Sequence, residues 1–160
     1  MTARRGPTPA RPGWRAGVVL FASLLVLAAC SDLGETEPRI LVLGTDTLVI
    51  PDSIDLVEVR VGGEPGTGFE PATPVARVGD LVRFVAADGR THAVAFDGAS
   101  LTVDRRAFLE TTGQLRGLPL LTEDAAWIVS LEGAPPGDYY FTCVTHGARG
   151  RLVVQARAAR

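Results

Sequence analysis

The stretch Tyr139-Tyr140-Phe141-Thr142-Cys143-Val144-Thr145-His146-Gly147 decides how this chain is read. Its aromatic residues alternate with the period of two of a half-buried strand, and Pro135-Pro136-Gly137-Asp138 just before it is a turn signal. The strand runs into a thiol, Cys143, and an imidazole follows three residues later at His146. The chain has only two histidines and two cysteines. The second histidine is His92, and the second cysteine, Cys30, ends an apolar N-terminal run. Soft-metal ligand types are therefore almost used up by one candidate site.

Working outward, the remaining segments read as short strands with turn punctuation. Asp88-Gly89 is a strong hairpin signal, and Thr91 to Phe96 follows with His92, Val94 and Phe96 on one face. That alternation turns His92 inward. Leu56–Val61, Leu81–Ala86, Ala126–Leu131 and Arg151–Gln155 show the same period. Residues 39–55 form an extension with first strands at Ile40–Leu43 and Thr47–Ile50. Gly62 to Pro74, rich in Gly and Pro, reads as loop anchored by Phe69. Residues 98–124 are the least patterned: a short helix over Arg105–Leu109, N-capped by Asp104, then a loop broken by Gly117 and Pro119. Arg105-Arg106 reads as a solvated pair. The expected fold is an all-β Greek-key β-sandwich of seven to eight strands with at most one short helix, its domain spanning residues 56–160.

Two imidazoles and one thiolate suit copper cycling between Cu(II) and Cu(I), usually with a weak axial fourth ligand. Zinc accepts the same donors and leaves a fourth position open. A Cys–His nucleophilic pair is the rival reading for Cys143 and His146, but no oxyanion-hole element is legible, so no catalytic residue is assigned and the chain is not read as an enzyme.

Val78-Gly79-Asp80-Leu81-Val82-Arg83-Phe84, followed by His92, Val94 and Phe96, resembles the first half of a plastocyanin or amicyanin domain. Pro136 to His146 resembles the second half, and Gly150-Arg151-Leu152-Val153-Val154 the closing strand. The resemblance to cupredoxins implies that His92, Cys143 and His146 bind one copper ion. It also implies single-electron transfer between larger redox proteins. In that family a Met soon after the second His supplies an axial thioether. Here the only Met is Met1, and Gly147-Ala148-Arg149 stand in its place. Arg149 lies where the Met would fall and is no ligand, because a guanidinium stays protonated. Gln155 and Gln114 are badly placed, which leaves a carbonyl near Thr91, a water, or no axial ligand. Copper storage or delivery, and a metal-free envelope interaction module, are the alternative classes.

Arg4, Arg5, Arg11 and Arg15 precede an apolar run, Ala16 to Ala29, too short to span a bilayer comfortably. Leu27-Ala28-Ala29-Cys30 resembles the lipobox of bacterial lipoproteins. This implies a signal peptide over 1–29, lipidation at Cys30, a tether over 30–38, and anchoring to a cell or outer membrane. All eighteen acids follow the signal, which carries off four of the sixteen arginines, and there is no Lys. The mature surface is acidic, which disfavours nucleic acid as a partner. Redox proteins at the envelope are the expected partners, and the chain is expected to act as a monomer.

Overall fold

A computed structural model describes residues 39–43, 46–63 and 68–158. The expected signal peptide, lipidation site at Cys30 and tether lie outside the described residues. The described residues form ten strands: β1 (Arg39–Leu43), β2 (Asp46–Ile50), β3 (Leu56–Val61), β4 (Phe69–Glu70), β5 (Val75–Arg77), β6 (Leu81–Ala86), β7 (Val94–Phe96), β8 (Ala126–Ser130), β9 (Gly137–Cys143) and β10 (Arg149–Gln155). One helix, α1 (Val103–Thr111), stands between β7 and β8. β1 and β2 form an antiparallel hairpin of their own. The other eight strands make two four-stranded sheets, ordered β4-β3-β6-β8 and β5-β10-β9-β7.

The alternating segments become strands because each can bury one face. On the first sheet Val59, Val61, Val82, Phe84 and Val129 point inward; on the second Phe96, Tyr139, Phe141, Cys143, Leu152 and Val154 meet them. Phe84 is the centre, in ring contact with Phe69, Phe96, Trp127 and Phe141 at centroid distances of 5.1–6.3 Å. Two pairings are parallel, β3 with β6 and β5 with β10. Their long connections conceal them from local sequence patterns. The stretch expected to be loop before Pro74 also contributes β4, which extends β3 and places Phe69 in the core.

Asp80 anchors the turn that leads into β6. It is buried, and its carboxylate accepts the N–H groups of Arg77 at 2.7 Å and Asp55 at 3.1 Å, together with the Arg157 guanidinium. The entry to β3, the β5–β6 turn and the tail after β10 thereby share one anchor. α1 starts two residues earlier than expected: Thr102 is its N-cap position and Asp104 lies in its first turn, where a carboxylate suits the helix dipole. Arg105 is not merely solvated. Its guanidinium donates to the Asp138 carbonyl at 2.6 Å and lies 5.9 Å from the Tyr139 ring centroid, clamping α1 to β9. Arg106 pairs with Glu110 one turn on.

Tyr139 is buried and its hydroxyl donates to the Pro135 carbonyl at 2.6 Å, a tyrosine corner that fixes the turn into β9. Burial pushes its phenol up to about 12. The unfolded phenol ionises near pH 10, so between pH 10 and 12 the unfolded chain binds fewer protons and the fold loses stability. Each unit in that window removes at most about 1.4 kcal/mol. Urea unfolding of the Tyr139→Phe variant is expected to lose this alkaline slope, at a fixed cost of about 1–2 kcal/mol for the missing hydrogen bond.

Candidate metal centre

The three sequence-predicted ligands converge. Cys143 ends β9 with its side chain facing the interior and fully buried. The chain then turns tightly, with the N–H of Gly147 donating to the Cys143 carbonyl at 2.7 Å and the N–H of Cys143 to the Ala148 carbonyl at 2.9 Å. This turn brings His146 back over the sulfur: its Nδ1 lies 3.5 Å from Cys143 Sγ. His92 arrives from the segment before β7, with Nδ1 3.8 Å from the same sulfur. The candidate ligand atoms of all three residues lie within 4.8 Å of one another. His92 is wholly buried and His146 half-buried, so the cluster meets solvent through one imidazole edge.

His92 is held on both sides. Its main-chain N–H and carbonyl pair with Leu120 at 2.9 and 2.8 Å, because residues 115–120 run antiparallel along the free edge of β7. Its Nε2 lies 2.8 Å from Asp88 Oδ1. The Arg90 guanidinium, the Gly63 N–H and the His92 ring together hold the Asp88 carboxyl far below the usual carboxylate range. Asp88 is therefore an acceptor at any ordinary pH, so Nε2 carries the proton and the Nδ1 lone pair faces Cys143. A carboxylate behind a histidine is a common way to fix tautomer and ring orientation for a metal.

Gly62 completes this support. Its φ is +93°, and a Cβ there would fall 2.5 Å from Asp88 Oδ2 and 2.7 Å from His92 Nε2. Gly62→Ala is expected to push the imidazole off its position, weakening metal affinity by roughly 10–100-fold, as losses of outer support do. Competition with a chromophoric chelator measures that directly. Neither Asp88 nor Gly62 emerges from the sequence reading, where the first was a turn residue and the second loop. The four-residue interval between Asp88 and His92 across a turn was the available signal.

The fold around this cluster is shared with solved structures. Plastocyanin from Dryopteris crassirhizoma, in its oxidised form, is 25% identical, with a TM-score of 0.50 over 62% of this chain and 100% of that one. The domain has the cupredoxin fold. A purple cupredoxin from Nitrosopumilus maritimus (17% identity, TM-score 0.46, 62% and 99% covered) and a pseudoazurin from Sinorhizobium (25%, 0.45, 64% and 76%) are also similar. No family model and no curated protein matches the sequence.

Within this cupredoxin sandwich, the loop after His146 corrects one expectation. Arg149 does not take the axial direction. On β10 the residues facing inward are Gly150, Leu152 and Val154, so Arg149 lies on the outer face, opposite Thr142 and exposed. Its charge acts on Asp97, whose carboxyl is held below its usual range chiefly by the Ser100 hydroxyl. Ala148 has the inward parity and packs against the core. Among the described residues no fourth His, Cys, Asp or Glu joins the three. Gln114 is also accounted for: it exchanges hydrogen bonds with the main chain of Ser130 at 2.6 and 3.1 Å, extending the edge of β8.

Proposed function

We propose that the domain binds one copper ion through His92 Nδ1, Cys143 Sγ and His146 Nδ1 and transfers single electrons between redox proteins at the cell envelope. One observation carries this reading. Bonds of about 2.0 Å to nitrogen and 2.3 Å to sulfur, opened to trigonal or tetrahedral angles, separate N from S by about 3.5–3.7 Å. The two S···N separations are 3.5 and 3.8 Å. Each imidazole nitrogen thus stands from the sulfur at close to the spacing that a shared ion would need, with all three ligand atoms within 4.8 Å of one another. The likeness to plastocyanin supports copper, and so does the donor set, soft thiolate with two imidazoles.

Bound copper supplies a one-electron couple; the chain supplies rigidity and access. Asp88 and the Leu120 pairing hold His92 still, and the tight turn after Cys143 holds His146, so both oxidation states meet one ligand arrangement. With no fourth His, Cys, Asp or Glu in the cluster, a copper ion would be held by these three residues, and such low coordination would favour Cu(I) and a high reduction potential. His146 is the edge through which an electron enters or leaves. A structural zinc site wants four protein ligands, and the described residues converge only three. Lipid on Cys30 would tether the monomeric domain to its membrane.

Protein-film voltammetry of the copper-loaded chain tests the function. Reversible, fast one-electron waves are expected. Rapid loss of Cu(I) to a competing chelator, with sluggish voltammetry, would instead mark a copper carrier.

A further inference from the structure

The arginines of this domain are almost all spoken for. Among the described residues, Arg39, Arg60, Arg77, Arg83, Arg90, Arg105, Arg106, Arg151 and Arg157 each meet a carboxylate or a main-chain carbonyl. Arg116 and Arg149 hydrogen-bond to neither, and both line one cleft of about 420 Å³. Its floor is the outer face of β9, with Tyr140 and Thr142, continued by Val144 just past the strand's end. Arg149 begins β10 on one side, and Arg116 reaches in from the segment that borders β7 on the other. Three strand spacings, about 14 Å, part the two backbones, a span that two extended guanidinium side chains can close around one bound group. One carboxylate, Asp97, stands at the rim, but its oxygens are engaged by the Ala99 N–H and the Ser100 hydroxyl of its own turn. Two guanidinium charges against one carboxylate leave the cleft positive, on a chain of net charge −2.

We propose that Arg116 and Arg149 form an oxyanion-binding site on the back of the strand that carries Cys143, taking a carboxylate or phosphate group. Planar forks of N–H donors match such groups bidentately. The group comes either from an acidic side chain of a partner protein or from a free oxyanion. The site needs no metal at Cys143, so its test uses the metal-free chain and stands or falls apart from the copper reading.

The full chain, metal-free and with its thiol reduced, is titrated at constant ionic strength with inorganic phosphate and with a hexaglutamate peptide. The Nε–H resonances of its arginines are followed by NMR. Saturable shifts at both Arg116 and Arg149 are expected. Tighter binding of the peptide assigns the site to protein carboxylates, and tighter binding of phosphate assigns it to free oxyanions; either upholds it. Arg116→Gln and Arg149→Gln should each weaken binding about tenfold, the worth of one charge-assisted contact. Arg151→Gln, on the same face but paired with Asp138, should leave it unchanged. Shifts that grow without saturating, or saturable binding that survives the double substitution, would overturn the proposal.

Discussion

Cys143→Ser is expected to abolish the intense visible band of the copper-loaded protein while leaving a folded sandwich. That band requires charge transfer from a thiolate to the metal, and Cys143 is the free thiol among the described residues. A serine hydroxyl does not ionise near neutral pH, so it offers neither the charge nor the covalency of the sulfur. Affinity should fall by more than the roughly 10–100-fold that loss of an outer-shell partner costs. The side chain is completely buried, so the new hydroxyl should also lower stability by about 1–3 kcal/mol. Circular dichroism and a visible spectrum of the same sample separate the two effects. An unchanged band in the variant would show that the sulfur plays no part.

Phe84→Ala should have the largest effect on stability. Phe84 is wholly buried on β6, with four aromatic rings around it and β9, the strand that carries Cys143, across the interior through Phe141. Truncation of such a residue costs about 3–5 kcal/mol through lost transfer energy and the cavity left behind. That is a large share of the roughly 5–15 kcal/mol that holds a domain together, and it should lower Tm by roughly 10–20 °C. The effect should reach the site, because Phe141 lies two residues before Cys143 and loses one of the rings packed against it. Thermal unfolding followed by calorimetry checks the magnitude. A loss below about 1 kcal/mol would mean that the five-ring cluster is not the centre of the core.

The parts legible in the sequence were those carried by local chemistry. Cys143, His146 and the inward face of His92 follow from alternation and turn residues, which act over a few positions. The parallel pairing of β3 with β6 joins residues twenty-five apart and leaves no local mark. Asp88 was hidden because Asp-Gly already explains itself as a turn, although its carboxylate also holds His92. Gly62 looked like one glycine among several in a loop, and its role depends on an imidazole thirty residues away. Arg149 illustrates a different limit: strand parity decides which face a residue takes, and a one-residue difference in loop length exchanges the faces. Arg149 therefore lies on the outer face, opposite Thr142. Residues 98–124 were opaque because their order comes from contacts elsewhere, with Arg105 clamped to β9, Gln114 to β8 and Leu120 to His92.

The central claim, that His92, Cys143 and His146 hold one copper ion in a thiolate-dominated site, is tested most directly by loading the full chain with Cu(II). Metal content, visible absorption and electron paramagnetic resonance are then measured on one sample. The account predicts one copper per chain, an intense thiolate-to-copper band and a compressed hyperfine splitting from covalency with sulfur. Correctly folded protein with a reduced thiol that takes up no copper, or takes it up without that band, would contradict it.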